Sequence, residues 1–209
     1  SLIRAAMPAM LYAKSPADVG RILRAFFATA AVFYVPLAIA LTLRGDELLA
    51  LLFGSEYGPG GRTALIALSW ALLALVGLSV MTPALLVTNH SPDVAAVAFV
   101  TMVLKLGIVW PLVDRWGALG AGIAVAIAFT AQASLLFWRL STHGSRPHMG
   151  AALIPAVVGA AGMAPILMTG LPLIPALIGG GLVFLLLWAG MARWLDPASL
   201  QRLRALLRR

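Results

Sequence analysis

Lys105 stands between Leu104 and Leu106, near the middle of the apolar stretch 94–113. A lone ammonium there needs an anion, water or a pairing partner, because a cation at the centre of a bilayer costs about 2.5–3.5 kcal/mol on insertion scales. Two readings follow. Lys105 faces a polar cavity, where it attracts an anionic ligand as a point charge, or it is paired structurally or snorkels to an interface. About half a helix separates it from either surface, which strains the snorkelling option. Gln132 lies inside the stretch 118–138, with Thr130 and Ser134 nearby. Its amide suits either a hydroxyl-rich ligand or an interhelical hydrogen bond. Arg62 follows Gly58-Pro59-Gly60-Gly61, and reads as a guide for anions or as an ordinary cation on a flexible loop.

Other chemistries find little to work with. There is no cysteine, which excludes disulfides, thiolate metal sites and cysteine nucleophiles. His90, His143 and His148 fall in loops, too dispersed for a metal centre. The acidic residues sit in loops or at the ends of apolar stretches, so no carboxylate pair is available for acid–base work inside them. The expectation is a protein that is not an enzyme and carries no cofactor. Asn89 and His90 are expected to cap and turn the chain rather than to bind a ligand.

Six apolar stretches position these groups: 25–43, 63–88, 94–113, 118–138, 151–169 and 172–192. At about 1.5 Å per residue each is long enough for a hydrocarbon core of about 30 Å. With 62% hydrophobic and only 11% charged residues, a bundle in water has nowhere to hide this surface. The expected fold is an all-α polytopic membrane protein with six transmembrane helices, preceded at residues 2–13 by the tail of an earlier span. The opening at Ser1, without Met, suggests a fragment.

The cations alternate across the stretches. Arg4, Lys14, Arg21, Arg24, Arg139, Arg146, Arg193, Arg202, Arg204, Arg208 and Arg209 fall on one side, against Arg44, Arg62 and Arg115 on the other. Eleven against three is the positive-inside pattern, so both ends are expected in the cytoplasm. The net charge of +8 then points to anionic inner-leaflet lipids rather than nucleic acid. Ser15-Pro16-Ala17-Asp18 reads as a helix start, with a capping Ser, Pro at the first helical position and an acid in the first turn. Asp196-Pro197 opens a short basic tail in the same way. There Arg202, Arg204, Arg208 and Arg209 are expected to lie against the inner leaflet, opposite Leu200, Leu203, Leu206 and Leu207. A disordered basic tail is the alternative.

Trp70, Trp110, Trp116, Trp138, Trp188 and Trp194 fall mostly near stretch ends and read as an interfacial belt. Trp70 and Trp110 are also candidates for stacking on a sugar. Pro36, Pro83, Pro111, Pro155 and Pro165 are expected to bend their helices, as hinges or as static kinks. Gly117, Gly120, Ala121, Gly122 and Gly179, Gly180, Gly181 permit close helix approach.

Leu49-Ala50-Leu51-Leu52-Phe53-Gly54-Ser55-Glu56-Tyr57 resembles the "llfG.eY" signature of polysaccharide-export flippases, the Wzx-like branch of the MATE/MOP transporter superfamily. Further motifs follow in order: Pro83-Ala84-Leu85-Leu86 near the end of a span, then Trp110-Pro111-Leu112-Val113, then Trp116-Gly117-Ala118-Leu119-Gly120-Ala121-Gly122, similar to the family's "lip.yG..GaA" turn into the next helix. Pro8 matches the ending of the preceding span. The resemblance covers residues 1–140. It implies that 1–138 are C-terminal-lobe helices with the first truncated, 139–195 two additional transmembrane helices, and 196–209 a cytoplasmic basic tail. The N-terminal lobe, the other half of a central alternating-access cavity, would then be missing from this chain. The implied activity is flipping of an undecaprenyl-pyrophosphate-linked oligosaccharide across the bacterial inner membrane, for O-antigen, capsule or exopolysaccharide assembly. Alternatives are a lipid II flippase or a MATE-type cation-coupled exporter, the latter weakened by spans without carboxylates. A polytopic glycosyltransferase or polymerase would want a larger catalytic loop outside than 44–62.

Overall fold

A computed structural model of the chain describes residues 15–56, 58–144 and 149–195. It is all-α, and among the described residues there is no strand. The helices are α1 (Pro16–Phe53), α2 (Gly58–Val87), α3 (Ser91–Thr142), α4 (Met149–Leu167) and α5 (Leu173–Leu195). Four segments are long and apolar enough to cross a membrane: Ala17–Phe53, Arg62–Val87, Ser91–Thr142 and Leu173–Trp194. The residues expected to form the tail of an earlier span, and the basic tail with Arg202, Arg204, Arg208 and Arg209, lie outside the described residues.

The start of α1 follows its sequence signals. The backbone N–H of Asp18 donates to Ser15 Oγ at 3.2 Å, and Ser15 Oγ donates to Asp18 Oδ2 at 2.9 Å. Arg21 pairs with Asp18 one turn on. Within the apolar helices, hydroxyls find acceptors on their own backbone. Thr42, Ser79 and Thr101 donate to the carbonyls of Ala38, Leu75 and Val97, four residues back. That arrangement removes the need for water where a lipid environment supplies none.

α3 is not a straight rod. At 52 residues a straight helix would run about 78 Å, yet Asp93 near its start and His143 just past its end are hydrogen-bonded at 2.7 Å. The fold-back occurs at Gly117, whose φ of 53° and ψ of −129° suit a residue without Cβ. Three contacts straddle that turn almost symmetrically: Leu112 with Gly120, Lys105 with Phe129, and Asp93 with His143. α3 is therefore an antiparallel helical hairpin, its legs joined with almost no loop. Its buried residues include Val97, Thr101, Ala124, Ala128, Leu136 and Leu140.

The chain divides into two units, both discontinuous in sequence. One holds the first turns of α1, α2 from Ala67 onward and the α3 hairpin. The other holds the rest of α1, the start of α2, and α4 with α5. In this second unit α4 and α5 pack closely, and Ala31, Ala40, Ala156, Ala160, Met163, Leu167, Ala176, Phe184 and Trp188 form one core cluster. Small residues set the approach of the two helices. A Cβ on Gly159 would lie 2.9 Å from the Phe184 carbonyl oxygen, and one on Gly180 would lie 3.1 Å from Met163 Cγ.

Two expectations need correction. The stretch 44–62 is mostly helix rather than a flexible loop: α1 resumes after non-helical Arg44 (φ −128°, ψ 24°) and runs to Phe53, and α2 already begins at Gly58. Close packing favours this, since Gly45 admits Leu65 at a position where a Cβ would stand 3.1 Å from Leu65 Cδ2. The breaks within α1 and α3 fall at Arg44 and Gly117, while Pro36 and Pro111 keep helical torsions. A proline's fixed φ is compatible with helix, whereas the Gly117 torsions are not. The second correction is Trp188, which is only 6% exposed, inside the core of α4 and α5, and takes no part in a belt. Trp110, Trp116, Trp138 and Trp194 are exposed.

Candidate functional site

The α3 hairpin brings Lys105 and Gln132 onto one element. Lys105 lies twelve residues from Gly117 and twelve from Asp93, so the ammonium's residue is about 18 Å along the helix from each end of its leg. It is exposed. Its Nζ sits 5.8 Å from the centroid of the Phe129 ring on the facing leg, at the outer limit of a cation–π contact. Among the described residues no carboxylate pairs with it. The Lys105 ammonium therefore lies near the Phe129 ring, with no carboxylate partner among the described residues. Gln132 is one helical turn beyond Phe129 and half-buried, placing it on the same face of the second leg. No hydrogen bond from its amide is formed among the described residues. Thr130 and Ser134 are exposed nearby.

Arg62 belongs to the other unit. It lies in the second turn of α2 and forms a 3.9 Å ion pair with Asp46. Both side chains are about half exposed, so the pair contributes little to stability. The stronger polar contact in this unit is Arg44, which sequence reasoning passed over. Its guanidinium pairs with Glu47 and donates to the backbone carbonyl of Leu171, and its side chain is 15% exposed. The bond explains the break in α1: a non-helical Arg44 reaches the connection between α4 and α5. The cation at 44 is thus a structural tie.

The open ends of the α3 hairpin carry a second cluster missed in sequence. His143 donates from Nε2 to Asp93 Oδ2 at 2.7 Å, and Arg139 Nη1 lies 3.5 Å from Asp93 Oδ1. Arg139 also lies 5.0 Å from the Trp138 ring centroid. The ring of His90 is stacked on that of His143, with centroids 3.6 Å apart and planes tilted by 36°. Thr88 spends its hydroxyl hydrogen on the carbonyls of Ala84 and Leu85, so Nδ1 of His90, 3.1 Å from Thr88 Oγ1, is the donor there. Asn89, with φ of 60°, makes the tight turn that delivers His90. Its turning role matches expectation, but His90 does more than cap. The hydrogen bond from His143 holds the Asp93 carboxyl below the usual carboxylate range; partial desolvation opposes this, while the charges of Arg139, His143 and His90 reinforce it. The only signal in sequence was two histidines flanking two apolar stretches with a glycine-rich turn midway.

No group of three or more His, Cys, Asp or Glu residues able to hold a metal is present among the described residues. No family model, curated protein or solved structure matches this chain.

Proposed function

We propose that this chain is the C-terminal part of a bacterial inner-membrane flippase that moves a lipid-linked, pyrophosphate-bearing oligosaccharide between leaflets. The observation that carries the reading is Lys105: a cation midway along a membrane-length helix, exposed, against Phe129 and without a carboxylate partner among the described residues. Hydrocarbon gives such a group no counter-charge. An anionic headgroup passing along this face does, while Gln132, Thr130 and Ser134 offer hydrogen bonds to a sugar. The lipid tail would remain in the bilayer. The resemblance of 49–57 and 110–122 to Wzx-like flippases supplies the substrate class. The same reading takes α1, α2, the two legs of α3, α4 and α5 as six crossings, with the cation-rich ends in the cytoplasm.

The test is complementation of a strain lacking its polysaccharide flippase. The full-length gene is supplied with Lys105 intact, or as Lys105→Arg or Lys105→Ala, and surface polymer is scored at matched expression in the native host. Wild type and Lys105→Arg restore polymer and Lys105→Ala does not. Equal restoration by Lys105→Ala would remove Lys105 from the path, and failure of wild type in the native host would overturn the flippase reading.

A further inference from the structure

The cluster at the open end of the α3 hairpin has no part in that transport reading. Its members come from three places in the chain: Thr88 and His90 from the turn after α2, Asp93 from the first turn of α3, and Arg139 and His143 from the end of α3. The groups whose charge bears on Asp93 are Arg139, His143 and His90. With both histidines neutral, the one carboxylate and the one guanidinium balance. A proton added to His143, the ring already bonded to the carboxylate, would leave the cluster with a net positive charge. Asp93 favours that proton and Arg139 opposes it. A further proton on His90 would set two imidazolium rings with centroids 3.6 Å apart, a like-charge contact that disfavours charging both.

We propose that His90, Asp93, Arg139 and His143 form a proton-responsive clasp on the two ends of the α3 hairpin, tightening when His143 gains a proton. The sign follows from the charges. Neutral His143 gives Asp93 a hydrogen bond; protonated His143 gives it a charge-assisted one, shorter and stronger. Asp93 stays ionised through the histidine range because its carboxyl is held low. The clasp therefore closes when His143 is protonated, and opens again only in strong acid, when Asp93 itself takes a proton. Histidine is the side chain suited to such a change near neutrality.

The chain has no cysteine, so a labelled pair is unique within it, and any cysteine elsewhere in the full-length protein is replaced by serine. Ala95→Cys and Thr142→Cys, both at exposed positions on opposite legs near the clasp, carry spin labels in the full-length protein in lipid nanodiscs. Between about pH 8 and about pH 5.5 the short-distance population rises about two- to fivefold, the range that a partly exposed ion pair provides. His143→Gln and Asp93→Asn each abolish the rise, while His90→Phe, which keeps a ring on the stack, preserves it. An unchanged distance distribution in the otherwise wild-type protein overturns the proposal. So does a pH response that survives His143→Gln, or one that is lost in His90→Phe alone.

Discussion

Gly120→Ala tests the α3 hairpin most directly. A Cβ at position 120 would stand 1.9 Å from the Leu112 carbonyl oxygen, 2.3 Å from its carbon and 2.9 Å from the Val113 nitrogen. Ordinary contact begins near 3.4 Å, so the Leu112 carbonyl would have to retreat by about 1.5 Å. All three neighbours are backbone, and no rotamer change relieves them. Overpacking commonly costs about 1–3 kcal/mol, and a clash with a backbone that closes a turn belongs at the top of that range. For a chain of this size about 3 kcal/mol lowers a thermal midpoint by roughly 6–12 °C. Gly107→Ala is the control, on the same hairpin, with nothing within 4 Å of its added Cβ; helix propensity alone makes it neutral or stabilising by up to about 1 kcal/mol. The assay is the thermal midpoint of the purified protein in one detergent, read by near-ultraviolet circular dichroism. A Gly120→Ala midpoint equal to that of Gly107→Ala would refute the close crossing of the legs at Leu112, and with it the loopless turn.

Other consequences follow from the same geometry. Gly159→Ala meets the Phe184 carbonyl oxygen at 2.9 Å, whereas Gly162→Ala meets chiefly the mobile end of Leu187 at 2.1 Å. The first should lower the thermal midpoint clearly more than the second, and equal losses would contradict the packing of α4 on α5. Arg44→Met removes the donor to Leu171 and should destabilise by about 1.5–3 kcal/mol, the worth of a charged hydrogen bond; faster amide exchange confined to 168–172 reads it out. Asp93 has its carboxyl held low in the folded protein, so its contribution is present above the unfolded carboxylate range, near about pH 3.9, and is lost as pH falls through the depressed folded value. Wild type should therefore lose stability on acidification to about pH 3 more steeply than Asp93→Asn, and parallel acid curves would contradict the His143–Asp93 bond.

Hydropathy and local signals made the elements legible. The stretches 94–113 and 118–138 lie within the two legs of α3, Gly117 lies at their turn, and Ser15 caps α1 as its sequence suggests. What could not be read depended on partners distant in sequence. Arg44 looks like any loop cation until Leu171 is brought to it by α4 and α5. His143 and Asp93 are fifty residues apart, and no periodicity links them. Trp188 has the amphipathic ring that suits either an interface or a core, and only the packing of α4 against α5 decides between them. The helical character of 45–53 and 58–62 was hidden by Gly54 and the Gly58–Gly61 run, residues that normally mark a loop.

The loopless turn at Gly117 also bears on how the polypeptide is made. The first leg of α3 emerges from the ribosome carrying Lys105, whose transfer into hydrocarbon opposes insertion by about 2.5–3.5 kcal/mol. The second leg, 118–138, has no charged residue, and each Leu, Ile, Val or Phe near its centre favours insertion by about 0.3–0.6 kcal/mol. On the six-crossing reading proposed above, with no loop to hold them apart, the reluctant leg and the willing one would enter the membrane as a pair, bringing Phe129 toward the ammonium. A chain cut shortly after Gly117 should leave the first leg poorly inserted, although every residue of that leg is present.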